Sequence, residues 1–169
     1  MNLLAIDTSS LACSVALRAG DALIERHEEQ AREHTRLLTP MIMEVLAESG
    51  MNLPQLDAIV LGNGPGSFIG MRIAASVAQG LAHGAGLSIV PVSSLAAVAA
   101  GIGWQRYPGL AAANEDLIGQ MSAVLHPRAR FLIPLGAAAW QAGGAIQPGD
   151  LVPAYLRSKV AAKPSVGKT

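Results

Sequence analysis

Cysteine, lysine, aromatic residues and charge are all scarce in this sequence of 169 residues. The one cysteine, Cys13, excludes an internal disulfide, and its apolar neighbours predict a buried thiol. Only 14% of the residues are charged, and twelve basic residues balance twelve acidic ones. This balance provides no global field that would attract nucleic acid, so we expect no DNA partner.

Long apolar runs are missing as well. Asp7 interrupts the first apolar run, so no signal peptide is predicted. The low-charge stretch at residues 87–103 contains serines, glycines and a proline and is too short to span a membrane. We therefore expect a cytoplasmic protein without a membrane partner. Its 51% hydrophobic content predicts extensive burial, including a surface that a partner covers.

Short apolar runs alternate with helical patterns along the chain. The first three runs are joined by tight turns and predict an antiparallel meander. The order β-β-β-α-β-α-β-α adds a right-handed crossover and predicts an α/β fold, a mixed sheet flanked by helices. The predicted strands cover residues 2–6, 12–18, 22–27, 56–61 and 87–92, and the predicted helices cover 35–48, 70–84, a short segment ending near 101, and 128–142.

The most distinctive stretch is GNGPGSFIGMR at residues 62–72, between a predicted strand and a predicted helix. A glycine-rich turn before a helix can aim backbone N–H groups at an anion beside the positive helix end. The same glycines can instead form a tight turn that lets the helix pack close to the sheet. Both interpretations stay open. A GxGxxG motif and a P-loop are excluded, because the spacing differs and no lysine closes the loop.

The helix predicted at residues 35–48 carries more apolar residues than one core contact needs. A helix of this kind is a candidate for a second contact, with another protein. Its apolar side chains, which lie on more than one face, are Leu37, Leu38, Met41, Ile42, Val45 and Leu46.

Histidines and carboxylates offer little chemistry. His27 and His34 lack the i, i+4 spacing of a zinc pair and are interpreted as surface or capping side chains. Asp7 ends the first strand, where its carboxylate could face a cleft or bond to backbone N–H groups of the following turn. Asp21 lies in a turn, and Asp57 opens a strand at the end away from the glycine loop. We therefore predict no metal site and no catalytic residue.

Four segments resemble the bacterial TsaB (YeaZ) family: LLAIDTSSLACSVAL at residues 3–17, EHTRLLTP at 33–40, GPGSFIGMRIAASVAQGLA at 64–82 and PAYLRSKVA at 153–161. Their order and spacing match across residues 1–101, and the segment from about residue 125 also fits. The glycine-loop string is the most specific of them. The resemblance implies an actin-like ATPase (ASKHA, ribonuclease H-like) fold, with two related lobes and a cleft between them.

The same resemblance implies a role in forming N6-threonylcarbamoyladenosine at position 37 of ANN-decoding tRNAs. Members are non-catalytic subunits that support TsaD, which carries the metal and the transfer chemistry. TsaC makes the activated threonylcarbamoyl-adenylate, and TsaE is the associated ATPase. The implied partners are TsaD directly, TsaE and tRNA through the complex, and a second copy of the chain when TsaD is absent. The chain itself requires no cofactor, although weak ATP or ADP binding at the complex interface is compatible with the resemblance.

Two groups of site residues follow from the resemblance. The helices at 34–48 and 70–84 would pack against their counterparts in TsaD as an intermolecular helical bundle, and the loop at 64–68 would shape a nucleotide-like cleft. The partner-binding group is His34, Leu37, Leu38, Met41, Ile42, Val45, Arg72, Ile73, Ser76, Val77 and Gly80. The nucleotide-loop group is Asp7, Thr8, Ser9, Gly64, Gly66, Ser67, Phe68 and Gly70.

The sequence departs from the family in two places. Ile69 stands where the family loop usually has threonine, and the missing hydroxyl weakens the nucleotide interpretation. Residues 104–122 lack the IDAR…VYW-like string of the second lobe, so either the gene carries a deletion or an internal segment is missing from the sequence. We assign residues 1–103 to the first lobe, 104–157 to a reduced second lobe and 158–169 to a flexible tail.

The alternative function is enzymatic: a nucleotide-binding phosphotransferase or ATPase of the actin and sugar-kinase fold. Phosphoryl transfer needs an acid that holds a metal and a residue that positions the nucleophile. Asp7 is the one candidate acid, and no lysine accompanies it. A metalloprotease would need a histidine pair, and Ser67 is not in a GxSxG elbow because Ile69 stands at the second glycine. The sequence therefore favours the accessory subunit.

Overall fold

The computed structural model describes residues 1–30, 32–101 and 126–154. Five strands form one sheet: β1 is Leu3–Asp7, β2 is Cys13–Ala19, β3 is Ala22–Glu28, β4 is Ala58–Gly62 and β5 is Ser88–Val92. Their spatial order is β3-β2-β1-β4-β5. The β1–β2 and β2–β3 pairs are antiparallel, whereas the β1–β4 and β4–β5 pairs are parallel. The predicted meander and crossover strands are thus confirmed.

Four helices flank the sheet: α1 is His34–Ser49, α2 is Phe68–Ala85, α3 is Ser94–Gly101 and α4 is Ala129–Gln141. Short 3₁₀ turns occupy Leu53–Gln55 and Pro148–Asp150. α2 begins two residues before its predicted start because Ser67 caps it, its hydroxyl accepting from the Gly70 N–H at 3.2 Å. Across these ranges, no helix combines the length and apolarity that crossing a membrane requires.

Both faces of the sheet are buried, one under α1 and α2 and the other under α3 and α4. Successive side chains of a strand point to opposite faces, so Leu4 and Ile6 join the first layer while Leu3 and Ala5 join the second. This explains why β4 is apolar throughout, why β1 is apolar up to Asp7, and why both strands are fully buried. Cys13 is buried as predicted, and burial raises the pKa of its thiol to about 12.

α4 returns to the sheet from far along the chain, and two strands cap its first turn. The Ala129 N–H donates to Ser14 Oγ of β2 at 2.8 Å. The Glu25 carboxylate of β3 accepts from the Arg128 guanidinium at 2.5 Å and from the Arg130 backbone N–H at 3.3 Å. These side chains satisfy N–H groups that have no partner within the helix.

The range predicted as a second lobe, residues 104–157, is only partly described. Its described part, 126–154, packs against the same sheet as residues 1–101, and Gly136 of α4 lies on the Val60 side chain. The rest of that range and the predicted tail at 158–169 lie outside the described residues. The boundary near residue 103 therefore stays a prediction.

Candidate functional site

The glycine loop lies against the turn at residues 7–9, which we call the β1 turn. A Cβ atom at Gly62 would overlap the Asp7 carboxylate, one at Gly66 would overlap Ser9, and one at Gly70 would overlap the Thr8 carbonyl oxygen. Only glycine permits these approaches. The three glycines, four residues apart, therefore let the loop close onto the β1 turn.

Hydrogen bonds join the same two segments. The Thr8 hydroxyl donates to the Gly70 carbonyl oxygen at 2.6 Å. The Ser67 N–H donates to the Ser9 carbonyl oxygen, also at 2.6 Å. The β1 turn is thereby tied to both the cap and the first turn of α2.

Five backbone donors in and beside the loop are used inside the chain. The anion-site interpretation needs several of them to converge on one ligand. The geometry instead favours the close-packing interpretation. The occupied donors are Asn63 N–H to the Val92 carbonyl oxygen at 2.7 Å, Gly64 N–H to Ser94 Oγ at 3.1 Å, Ser67 N–H to Ser9, Gly70 N–H to Ser67 Oγ and Met71 N–H to the Ser67 carbonyl oxygen at 2.9 Å.

Asp7 is 1% exposed at the end of β1. Its Oδ1 accepts from the Ser9 N–H at 2.8 Å and from the Ser9 hydroxyl at 2.7 Å, which confirms the predicted bond to the following turn. Its Oδ2 has no hydrogen-bond partner among the described residues. Burial raises the pKa of Asp7, and the hydrogen bonds from Ser9 and the neighbouring Ser94 hydroxyl oppose that shift.

A polar row crosses three strands in register: Asp7 pairs with Ser14, and Ser14 pairs with His27. Sequence spacing did not reveal this set. It is not a nucleophilic triad, because histidine must stand between the serine and the aspartate and here serine does. Ser14 is also fully buried, and its Oγ caps α4. The row therefore belongs to the packing of α4 on the sheet.

His34 does not fit its predicted role as a surface or capping side chain. It is buried, and its Nε2 lies 3.1 Å from the Ser10 carbonyl oxygen, so it fastens the start of α1 to the β1–β2 loop. Within residues 1–30, 32–101 and 126–154, no three His, Cys, Asp or Glu side chains are grouped to hold a metal ion.

Five predicted partner-binding residues lie in the chain's own core. Met41 is 4% exposed and Ile42 is 1% exposed, so neither is available to a partner. The i, i+3, i+4, i+7 spacing of this set marks the stripe of α1 that faces the sheet. The five buried members of the predicted contact set are His34, Leu38, Met41, Ile42 and Val45.

The remaining α1 residue, Leu37, is half-buried. Helical spacing puts it on the flank that carries Glu44, seven residues later. Glu44 and Glu48 both bind Arg26 of β3, at 3.0 and 2.5 Å. Leu37 therefore lies toward the β3 edge of the sheet.

The α2 members of the predicted set lie at or near the surface. Arg72, Ser76 and Gly80 are exposed, whereas Ile73 and Val77 are half-buried. The Arg72 guanidinium stacks on the Phe68 ring, 3.8 Å from its centroid.

Two exposed apolar side chains were missed by sequence reasoning, Met43 at 61% and Ile69 at 69% exposure. The sequence could have predicted the exposure of Met43, because its position in α1 lies outside the i, i+3, i+4, i+7 stripe that faces the sheet. Together with the exposed side of α2 it forms a surface that we call the α1–α2 face: Thr39, Met43, Arg72, Ile73, Ser76, Val77 and Gly80.

Comparison with known proteins gives consistent results. A family model described as TsaD: tRNA N6-adenosine threonylcarbamoyltransferase matches residues 26–126. The tRNA threonylcarbamoyladenosine biosynthesis protein TsaB of Haemophilus influenzae is 50% identical over 99 residues, which cover 59% of this chain and 42% of that protein. The Escherichia coli protein of the same name is 46% identical over 107 residues, covering 63% and 46%. The chain thus matches less than half the length of these curated relatives.

Solved structures agree on the fold. YeaZ from Pseudomonas aeruginosa superposes with a TM-score of 0.77 at 28% identity, covering 92% of this chain and 99% of that one. Thermus thermophilus RuvC, solved with a Holliday junction substrate, superposes with a TM-score of 0.54 at 15% identity, covering 86% and 98%. At that identity RuvC supports the fold alone, and the predicted actin-like, ribonuclease H-like class is confirmed.

Proposed function

This chain belongs to the family that the TsaD model describes, in its TsaB (YeaZ) group, and we propose that it is a non-catalytic subunit in threonylcarbamoyladenosine formation on tRNA. Its direct partner in this proposal is TsaD, and TsaE and tRNA are reached through the complex. The modified adenosine is the one at position 37 of ANN-decoding tRNAs, and the location is the cytoplasm. The proposal extends the names of its relatives to a chain that matches less than half of their length.

The α1–α2 face is the observation that carries the proposal. An exposed methionine and two half-buried β-branched side chains lie beside the small residues Ser76 and Gly80. Among the seven residues that define this face, Arg72 is the one ionisable residue. Two neighbouring helices with small and apolar side chains present ridges and grooves into which other helices can pack. A helical partner therefore suits this surface better than a charged ligand does.

The polar groups at the strand ends support a non-catalytic role. Asp7 is enclosed by the β1 turn and Gly62, and Ser14 is used as a helix cap. Neither side chain is exposed to a substrate. The transfer chemistry is therefore assigned to the partner.

Charge insertion on the α1–α2 face tests the binding. Met43→Glu and Val77→Glu should each weaken the Kd for TsaD by about a hundredfold or more, because an unpaired charge buried in an interface costs a few kcal/mol. The measurement is isothermal titration of purified TsaD, with circular dichroism to verify folding. Leu95→Glu is the matched control, since Leu95 is equally exposed but starts α3 on the other face of the sheet. Unchanged binding by both folded variants would refute the assignment of this face.

The same face is proposed to pair two copies of the chain when TsaD is absent, since an apolar surface gains from being covered. Sedimentation of the wild type should show a dimer, and Val77→Glu should move it to the monomer. A wild type that stays monomeric at high concentration would count against the pairing.

A further inference from the structure

We propose that the β1 turn and the glycine loop form a mount that fixes the first turn of α2, with Thr8 and Ser9 as positioning residues for the α1–α2 face. The inference rests on the proposed function for what that face binds. It assigns the glycine loop a mechanical task in place of ligand binding.

The contacts of the mount are mutual and close. Thr8 contributes its hydroxyl to the Gly70 carbonyl oxygen, and its own carbonyl oxygen faces the Gly70 Cα without room for a Cβ. The Ser9 carbonyl oxygen accepts from the N–H of the cap residue Ser67. The same oxygen lies so close to Gly66 that a Cβ there would overlap it. Thr8 and Ser9 are both buried, so these bonds are shielded from competing water.

Two N–H groups near the start of α2 are bound by acceptors within the chain. Ser67 Oγ accepts from Gly70, and the Ser67 carbonyl oxygen accepts from Met71. A phosphate that bound these two N–H groups would have to replace the Ser67 acceptors. The positive end of the helix is thus used to hold α2 in place on the β1 turn.

The mount acts at the end of α2 that carries part of the α1–α2 face. Arg72 and Ile73 follow Gly70 within one helical turn, and Arg72 stacks on Phe68 from the first turn. A rigid first turn therefore sets the rotation of the exposed side chains about the helix axis. A loosened turn would present them in several orientations and reduce the fraction that is competent to bind.

Thr8→Val removes the hydroxyl and keeps the shape. At a temperature where the variant is fully folded, its Kd for TsaD should rise about threefold to tenfold, because apparent affinity falls with the competent fraction. Thr8→Ser should restore the wild-type Kd. Ser10→Ala is the control, since Ser10 Oγ accepts from Ala12 within the β1–β2 loop and does not touch α2. A role in stability alone would leave the Kd of the folded variant unchanged, and that result would overturn the proposal.

Amide hydrogen exchange tests whether the mount fixes the first turn of α2, even if the wild-type chain does not bind TsaD. Thr8→Val should accelerate exchange at residues 69–72 and leave α1 unchanged, whereas unchanged exchange at 69–72 would overturn the mount. Failure of the wild type to bind TsaD would instead overturn the proposed function. Mg·ATP should leave the Tm of the chain unchanged, and a rise accompanied by slower amide exchange at residues 64–70 would show that the loop holds phosphate and would refute the mount.

Discussion

The two carboxylate oxygens of Asp7 differ in their hydrogen bonding. Oδ1 receives two hydrogen bonds from Ser9, while Oδ2 lies against the Cα of Gly62 without a partner in the described part of the chain. Removing an ionised carboxylate from water is costly, and burial accordingly raises its pKa above the ordinary 3.8. The fold therefore favours the neutral form of Asp7 more than water does.

Asp7→Asn should stabilise the chain at neutral pH by an amount that depends on pH. A raised folded-state pKa gives stability that is complete below pH 3.8 and is lost as pH rises through the folded-state value. The difference in unfolding free energy between Asp7→Asn and wild type should therefore increase from pH 4 to pH 7. Urea unfolding across this range measures it, with Asp21→Asn in the exposed β2–β3 turn as the control for losing one carboxylate. A difference that shrinks toward pH 7 would mean that the folded state favours the ionised form.

Gly62→Ala should destabilise the chain by about 1–3 kcal/mol or more, because the added methyl overlaps the Asp7 carboxylate and forces it to move. Gly84→Ala is the matched control. Gly84 lies in α2 with open space around it, so alanine there should stabilise the helix by up to about 1 kcal/mol. Thermal unfolding of the two variants gives the comparison, and equal shifts would contradict the close contact at Gly62.

Sequence reasoning reached part of this site. The bond from Asp7 to its own turn follows from local chemistry and was predicted. The glycine loop allowed two interpretations, since the same residues suit an anion and a close contact. The contacts that favour the close-packing interpretation come from the β1 turn, about sixty residues earlier along the chain, and no local pattern contains that information.

At the scale of elements, α1 explains why several predicted contact residues lie in the core of the chain. Its apolar side chains cover a wide stripe, and a wide stripe suggested a second, external contact. The structure uses that stripe almost entirely on the sheet, burying both Met41 and Leu46. A helix over a sheet needs a broad apolar face, because the sheet is flat and contacts more than one row of side chains. The exposed apolar side chain that α1 adds to the α1–α2 face is instead Met43.

Glu25 should contribute far more to the free energy of unfolding than Glu44, an exposed carboxylate that also binds an arginine. Its side chain is 9% exposed and it binds α4 through the Arg128 guanidinium and a backbone N–H. Glu25→Ala should therefore cost about 2–3 kcal/mol, as expected for a shielded charge-assisted bond. Glu44→Ala is the control, since its exposed pair with Arg26 should contribute about 1 kcal/mol or less. Chemical denaturation compares them, and equal losses would show that α4 does not depend on this cap.

The position of α4 was beyond sequence reasoning, although the helix itself was predicted correctly. Its cap residues, Ser14 and Glu25, lie 115 and 103 residues from the N–H and guanidinium that they bind. The helix also lacks a side-chain cap of its own. The local sequence therefore specifies a helix but does not specify where on the sheet that helix packs.

At the scale of the whole molecule, the two apolar layers share one sheet. Strands β1 and β4 contribute alternate residues to both layers, so neither layer can lose its packing without exposing the other side of the same backbone. The described parts of the chain should consequently unfold together, although the chain matches less than half of its curated relatives.

Leu38→Ala and Leu132→Ala test this coupling from opposite faces. Leu38 of α1 and Leu132 of α4 are both buried, and each truncation should cost about 2–5 kcal/mol through lost burial and the cavity left behind. In a Trp104→Phe background the fluorescence of Trp140 reports on α4, while far-UV circular dichroism reports on all elements. The two transitions should coincide in wild type and in both variants, because α4 is part of the core that the sheet organises. If α4 instead belonged to a separate lobe, Leu132→Ala would move the Trp140 transition alone to lower denaturant and leave most of the dichroism signal in place.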